Sequence, residues 1–274
     1  MLALSPGVGY IHEPFSPDTA PGTNGGVFAT YFTRVDESNE QLYLPHLERT
    51  LAFRYDARAQ LRALRTPADA ARAARDAFAF AQSRRRRARP LVKDPIALLS
   101  ADWLAERFGM DVVVTIRHPA AFAASVLRLG WQHRFDTFAG DERLRRFEDE
   151  LRDPGGPLEQ AALLWRILYS VVDEYRHRYP AWTFIRHEDA ARAPLETFER
   201  LYETLALELT PAARSTIERS SAGADPAAAA KHAIRLDSAA AAKRWRTQLK
   251  PDEIALLRSA TQDVWPRFYA DEDW

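Results

Sequence analysis

Arg117 and Ser125 are the residues whose types and spacing most directly suggest chemistry. They stand eight positions apart in VVVTIRHPAAFAASVLRLGW, residues 112–131. A β-branched, almost non-polar run ends in Arg117. Pro119 then opens a helical stretch that carries Ser125 about two turns in. In open α/β sheets, ligands bind at the carboxyl ends of the strands. A guanidinium there presents a fork of donors that fits a phosphate, and a hydroxyl on the following helix can add a bond to the same oxygens. The chemistry would be anion binding. A plainer reading fits the same residues, with Arg117 capping a strand edge and Ser125 packing among alanines.

The elements that must position this pair follow from periodicity. Four short β-like runs occur: Val8–His12, Leu91–Lys93 with its flanks, Asp111–Arg117 and Trp182–Arg186. The third is continuous and nearly without polar residues, the pattern of a strand buried on both faces. Helical stretches are expected at 42–65, 68–87, 96–108, 119–129, 158–179, 194–206, 211–221, 238–249 and 252–265. Residues 13–27 are rich in Pro and Gly and read as a loop. Residues 222–242 are weakly patterned, as a segment over a site would be. Strands alternating with helices predict an α/β fold with a parallel sheet flanked by helices, in one domain spanning 1–274.

Composition narrows the partners. The 274 residues contain 38 Lys+Arg and 38 Asp+Glu, so no bulk charge draws the chain to nucleic acid or a membrane surface. The run Arg84–Arg87 reads as the solvated end of a helix. There is no cysteine, hence no disulfide framework or thiolate metal site. No transmembrane-length apolar run and no signal-peptide pattern occur, so a soluble, cytoplasmic protein is expected. HExxH and GxSxG are both missing, and no metal is expected.

Strand, Arg-His-Pro, then serine eight residues after the arginine resembles the 3′-phosphate-binding segment of the sulfotransferases. Neighbouring segments fall in the same order: IHEPF (11–15), VKDPIALLSADWLAERF (92–108), FIRHEDAARAPLETFERLYETLAL (184–207) and AAKRWRTQLKPDEI (241–254). The resemblance covers nearly the whole chain and is firmest over 90–130. It implies a P-loop-like parallel sheet and transfer of a sulfuryl group from PAPS (3′-phosphoadenosine-5′-phosphosulfate) to a hydroxyl or amine of a small molecule or carbohydrate. Arg117 and Ser125 would hold the 3′-phosphate, which ATP lacks. Glu13 would take the acceptor's proton; taken alone, it reads as a solvated loop carboxylate. Lys93 would stabilise the leaving phosphate or the transferring oxygens; its plain alternative is an ion pair with Asp94 or Glu13. His187 replaces the family's usual adenine-contacting tyrosine, and Lys243 would reach the 3′-phosphate. Arg128 could join Arg117 and Ser125. Phe15, Tyr31, Phe32 and Trp131 are the aromatic candidates for the acceptor side.

The family's opening strand and its PRSGTTLL-like phosphate loop have no counterpart in this chain. The fold is therefore expected to lack its first strand and phosphate loop, and the chain as written to be inactive or poorly folded. Two rival functions stay open: a related nucleotide-dependent kinase, and a non-catalytic interaction protein on the same scaffold.

Overall fold

The computed structural model describes residues 1–131, 134–221 and 242–274. The chain divides into two compact units, one comprising residues 2–110 and the other residue 1 with 111–274. The α/β class with parallel strands flanked by helices is borne out. The strands form two separate two-stranded parallel ladders, one in each unit.

In the first unit β1 (Val8–His12) pairs in parallel with β2 (Arg89–Lys93), with Tyr10 opposite Leu91 and His12 opposite Lys93. Between the strands lie α1 (Pro21–Asn24), α2 (Glu40–Leu51), α3 (Ala57–Ala63) and α4 (Pro67–Arg85). A 3₁₀ turn at Ile96–Ser100 and α5 (Ala101–Phe108) follow β2. Thr66 starts α4 with a reciprocal capping box to Asp69. The arginine run is exposed at and beyond the end of that helix, where cations suit the dipole.

Two departures from expectation have a visible cause. The helix expected over 42–65 breaks into α2 and α3 around Phe53, which adopts a left-handed φ of 51°. Its buried ring lies against Gly9 of β1, where an added Cβ would fall 2.3 Å from a ring carbon. A glycine in the strand makes room for the ring that ends the helix. The stretch 13–27 is also not all loop. Pro21–Asn24 forms one helical turn, and the buried Asn24 ties it down. Its Nδ2 donates to the Pro14 carbonyl at 2.7 Å, and its Oδ1 accepts from the Gly26 N–H at 2.9 Å.

In the second unit β3 (Val113–Ile116) pairs in parallel with β4 (Thr183–Arg186). α6 (Pro119–Leu129) leaves β3, with proline in its first turn and Gly130 closing it at φ 61°. α7 (Glu148–Arg152) precedes the long α8 (Pro157–Arg178). α9 (His187–Arg192), α10 (Pro194–Thr204) and α11 (Pro211–Ser221) follow β4. A four-residue helical turn at Trp245–Gln248 and a ten-residue helix at Pro251–Ala260 come near the end of the chain. The alanines of α6 and α8 pack with Trp245, Leu249 and Leu257 into one apolar cluster. β3 is not buried on both faces as expected: Val114 and Ile116 are buried, whereas Thr115 is exposed. The residues 222–241 lie outside the described ones, so the expectation for that segment, and for the first four residues of the helix expected over 238–249, falls there too.

Asn24→Ala removes these bonds together with a longer one from Nδ2 to the Ser16 carbonyl at 3.4 Å, and takes away the side-chain partner of the Pro14 carbonyl. It is expected to destabilise the protein by about 1–3 kcal/mol, measured as a fall in the urea midpoint at constant slope.

Candidate functional site

The backbone at Arg117 is fixed by side chains from other elements. The Arg117 N–H donates to the Tyr169 hydroxyl at 2.8 Å, and the Arg117 carbonyl accepts from Trp165 Nε1 at 2.9 Å. Trp165 and Tyr169 lie one helical turn apart on α8, buried and stacked at 4.5 Å between centroids. The next peptide is held as well: the His118 N–H donates to Glu188 Oε1 at 3.1 Å, and Glu188 Oε2 accepts from the Tyr269 hydroxyl at 2.8 Å.

His118 caps α6. Its Nδ1 accepts from the Ala120 N–H at 3.3 Å, which assigns the ring proton to Nε2. The ring is buried, stacks on Trp245 at 4.8 Å, and meets Tyr269 and Trp274 edge-on. Burial pushes its pKa from 6.5 down to about 3, chiefly because a charged imidazolium would lose its water there.

The Arg117 side chain is treated differently from its backbone. It is half-buried, its Nε is buried without a hydrogen-bond partner, and among the described residues it forms no ion pair. Desolvation depresses its pKa, and Arg128 adds to this; Tyr169, Glu188 and Tyr269 act the other way. It remains a guanidinium. Ser125 is half-buried on α6, and its hydroxyl has no hydrogen bond among the described residues.

His187 opens α9 within electrostatic reach of Arg117. Desolvation and the Arg117 charge lower its pKa, and Glu188 opposes them. Because His187 is exposed in area, the charge is the firmer cause. Lys243 is exposed two residues before Trp245, and no described contact joins it to Arg117 or Ser125. The structure thus groups Arg117, Arg128 and His187 electrostatically. It leaves Lys243 outside the described contacts of that group.

Glu13 and Lys93 belong to the other unit, where they form an ion pair. Asp94 is not the partner of Lys93. It accepts the N–H groups of Phe15, Ile96 and Ala97 at 2.7, 2.9 and 3.2 Å. Burial pushes its pKa up to about 6 in spite of those bonds. Glu13 has a left-handed φ of 42°, and its carbonyl accepts from the Thr19 hydroxyl at 2.6 Å. Phe15 and Phe32 are fully buried, so they serve the core rather than an acceptor. Tyr31 hydrogen-bonds Asp18, which with burial pushes its pKa up to about 12.

Sequence reasoning missed Trp165, Tyr169, Glu188 and Tyr269. Glu188 lay one residue beyond the singled-out His187, and the i, i+4 spacing of Trp165 and Tyr169 on α8 was the signal available for that pair. Among the described residues no cluster of three or more His, Asp or Glu groups is arranged to hold a metal, and no helix is long and apolar enough to cross a membrane.

His118 gives a test of how this turn is built. Its folded pKa lies below the unfolded one. The stability it contributes as a neutral ring is complete above pH 6.5 and is lost as the pH falls from 6.5 towards 3. One proton gives a slope of about 1.4 kcal/mol per pH unit. Asp94 has the opposite sign, favouring the folded state as pH falls from about 6 to 3.8. His118→Asn keeps a capping acceptor; between pH 6 and 5 the His118 loss and the Asp94 gain offset each other in the parent, whereas the variant should gain stability as the pH falls, so the two curves should diverge by about 1.4 kcal/mol per pH unit. Superimposable curves from urea titrations would remove the buried neutral ring from the account.

No family model matches the chain. It is 28% identical to Carbohydrate sulfotransferase 1 of Mus musculus over 183 residues, which is 64% of this chain and 40% of the mouse protein. The Rattus norvegicus protein of the same name gives the same identity and coverage. The chain thus spans less than half the length of these curated relatives. Among solved structures, the Sulfotransferase Domain from the Curacin Biosynthetic Pathway aligns with a TM-score of 0.44 and 18% identity, covering 96% of this chain and 97% of that one. The Sulfotransferase Domain from the Synechococcus PCC 7002 Olefin Synthase aligns with a TM-score of 0.45 and 18% identity, covering 96% and 94%. The sequence match agrees with the resemblance stated above: over 183 residues the chain is similar to curated carbohydrate sulfotransferases.

Proposed function

We propose that the protein transfers a sulfuryl group from PAPS to a hydroxyl or amine of a carbohydrate or small molecule. One observation carries the reading. A half-buried guanidinium at the end of a parallel strand has its backbone held on both sides, yet its side chain has no described counter-charge. A buried charge without a partner is costly. An anion in that place supplies both the charge and the acceptor atoms.

The residues present fit a ribose 3′-phosphate. Arg117 is the principal ligand, Ser125 offers a free hydroxyl, and Arg128 adds charge. His187 is kept neutral beside Arg117, which suits a flat ring meeting the adenine face. When bound, PAPS supplies the activated sulfuryl group. In this reading Glu13 takes the acceptor's proton and Lys93 meets the negative charge of the leaving phosphate. The carbohydrate in the names of the curated relatives favours a sugar acceptor.

Adenosine 3′,5′-bisphosphate should raise the melting temperature, and ATP with magnesium should not. Arg117→Ala should weaken bisphosphate binding about 10–100-fold, as expected for lost charge-assisted bonds. Stabilisation by ATP alone would favour a kinase, and indifference to both would favour a non-catalytic scaffold. Glu13→Gln should abolish transfer to a sugar acceptor while leaving bisphosphate affinity intact.

A further inference from the structure

A second feature of the 111–274 unit plays no part in that reading. A cavity of about 460 Å³ opens beside β4, lined by all four residues Thr183–Arg186 together with side chains from α8, α10 and the segment near Phe268. β4 pairs only with β3 among the described residues, and Ile116 of β3 also lines this cavity.

The charges around it are unevenly matched. Arg176, Arg186, Arg200 and Arg267 line the cavity against a single carboxylate, Asp189. Arg186 is paired with Asp273 at 2.7 Å and lies near Asp189 at 3.5 Å, but its Nε is buried without a hydrogen bond. Arg267 is paired with Asp173. Arg176 lies over the Phe268 ring at 5.1 Å and donates to the Arg267 carbonyl at 2.8 Å, with no described carboxylate partner. Arg200 has no described partner of any kind. Two guanidinium groups, Arg176 and Arg200, therefore stand at one cavity without a described carboxylate partner, while Arg186 and Arg267 are each ion-paired. Leu201 and Phe268 are buried beneath them and Phe184 is half-buried, giving an apolar floor under a cationic rim.

We propose that this cleft is a binding site for a small amphipathic anion: a sulfate, phosphate or carboxylate head carried on an apolar or ring-shaped body. Arg176 and Arg200 face the head, and Phe184, Leu201 and Phe268 contact the body. The cavity volume admits a body of about one or two rings. The site is distinct from that of Arg117, so it stands or falls separately from the sulfuryl-transfer reading.

Calorimetric titration with phenyl sulfate, inorganic sulfate and phenol tests this directly. Phenyl sulfate should bind one-to-one and tighter than either fragment. Arg200→Glu, an exposed substitution that breaks no described contact, should weaken it about tenfold or more. Thr204→Trp, at the exposed mouth of the cleft, should block it. Arg117→Ala should leave it unchanged. The proposal fails if phenyl sulfate binds no better than inorganic sulfate or phenol. It also fails if Arg200→Glu has no effect, or if Arg117→Ala removes the binding and so assigns it to the other site.

Discussion

The structure around the candidate site depends on the clamping of one strand end by side chains. Arg117 gives its N–H to a tyrosine and its carbonyl to a tryptophan, and the following N–H goes to a glutamate. Side-chain partners at these positions are unusual, because the backbone groups of a strand end are ordinarily met by neighbouring backbone or water. Here the outcome is a main chain held on both sides below a side chain with no ion pair among the described residues. The rigidity belongs to the backbone, and the binding capacity is left to the guanidinium.

The clamp has a price in burial. Tyr169, Trp165 and His118 are all buried, and each needs its polar atom satisfied. Trp165 and Tyr169 do this by bonding Arg117 itself. His118 satisfies Nδ1 at the start of α6 but leaves Nε2 without a partner, as Trp274 does its Nε1. The packing of the aromatic cluster about His118 must offset these orphan donors. The same packing holds the imidazole neutral, so it adds no positive charge next to Arg117. The turn is consequently sensitive to acid although no catalytic role falls to the histidine.

The legible part of the candidate site was the pair Arg117 and Ser125, because a strand-to-helix transition with Arg and Ser at fixed spacing is a local pattern. α6 begins and ends where proline and glycine placed it. The clamp was not legible in the same way. Tyr169 and Glu188 lie 52 and 70 residues from their partners, and only the folded chain brings them together. Phe15 and Phe32 were acceptor-side candidates by residue type alone, which does not report burial; both are buried, with Phe15 stacked on Phe28 at 4.4 Å. The break between α2 and α3 was hidden for a related reason. It depends on a glycine in a strand more than forty residues earlier.

The formal net charge of zero conceals two opposite local arrangements. In the 2–110 unit the cation near the strand ends is already matched, since Lys93 is paired with Glu13. In the 111–274 unit Arg117, Arg128, Arg176 and Arg200 lack described carboxylate partners. The open charges are suited to ground-state binding of an anion, and the closed pair is suited to a step in which charge moves. If Glu13 accepts a proton, its attraction for Lys93 falls at that moment, and the ammonium is released to meet negative charge appearing elsewhere. A pair that stays neutral until the proton moves favours the transition state over the bound substrate, which is the condition for an interaction to increase rate as well as affinity.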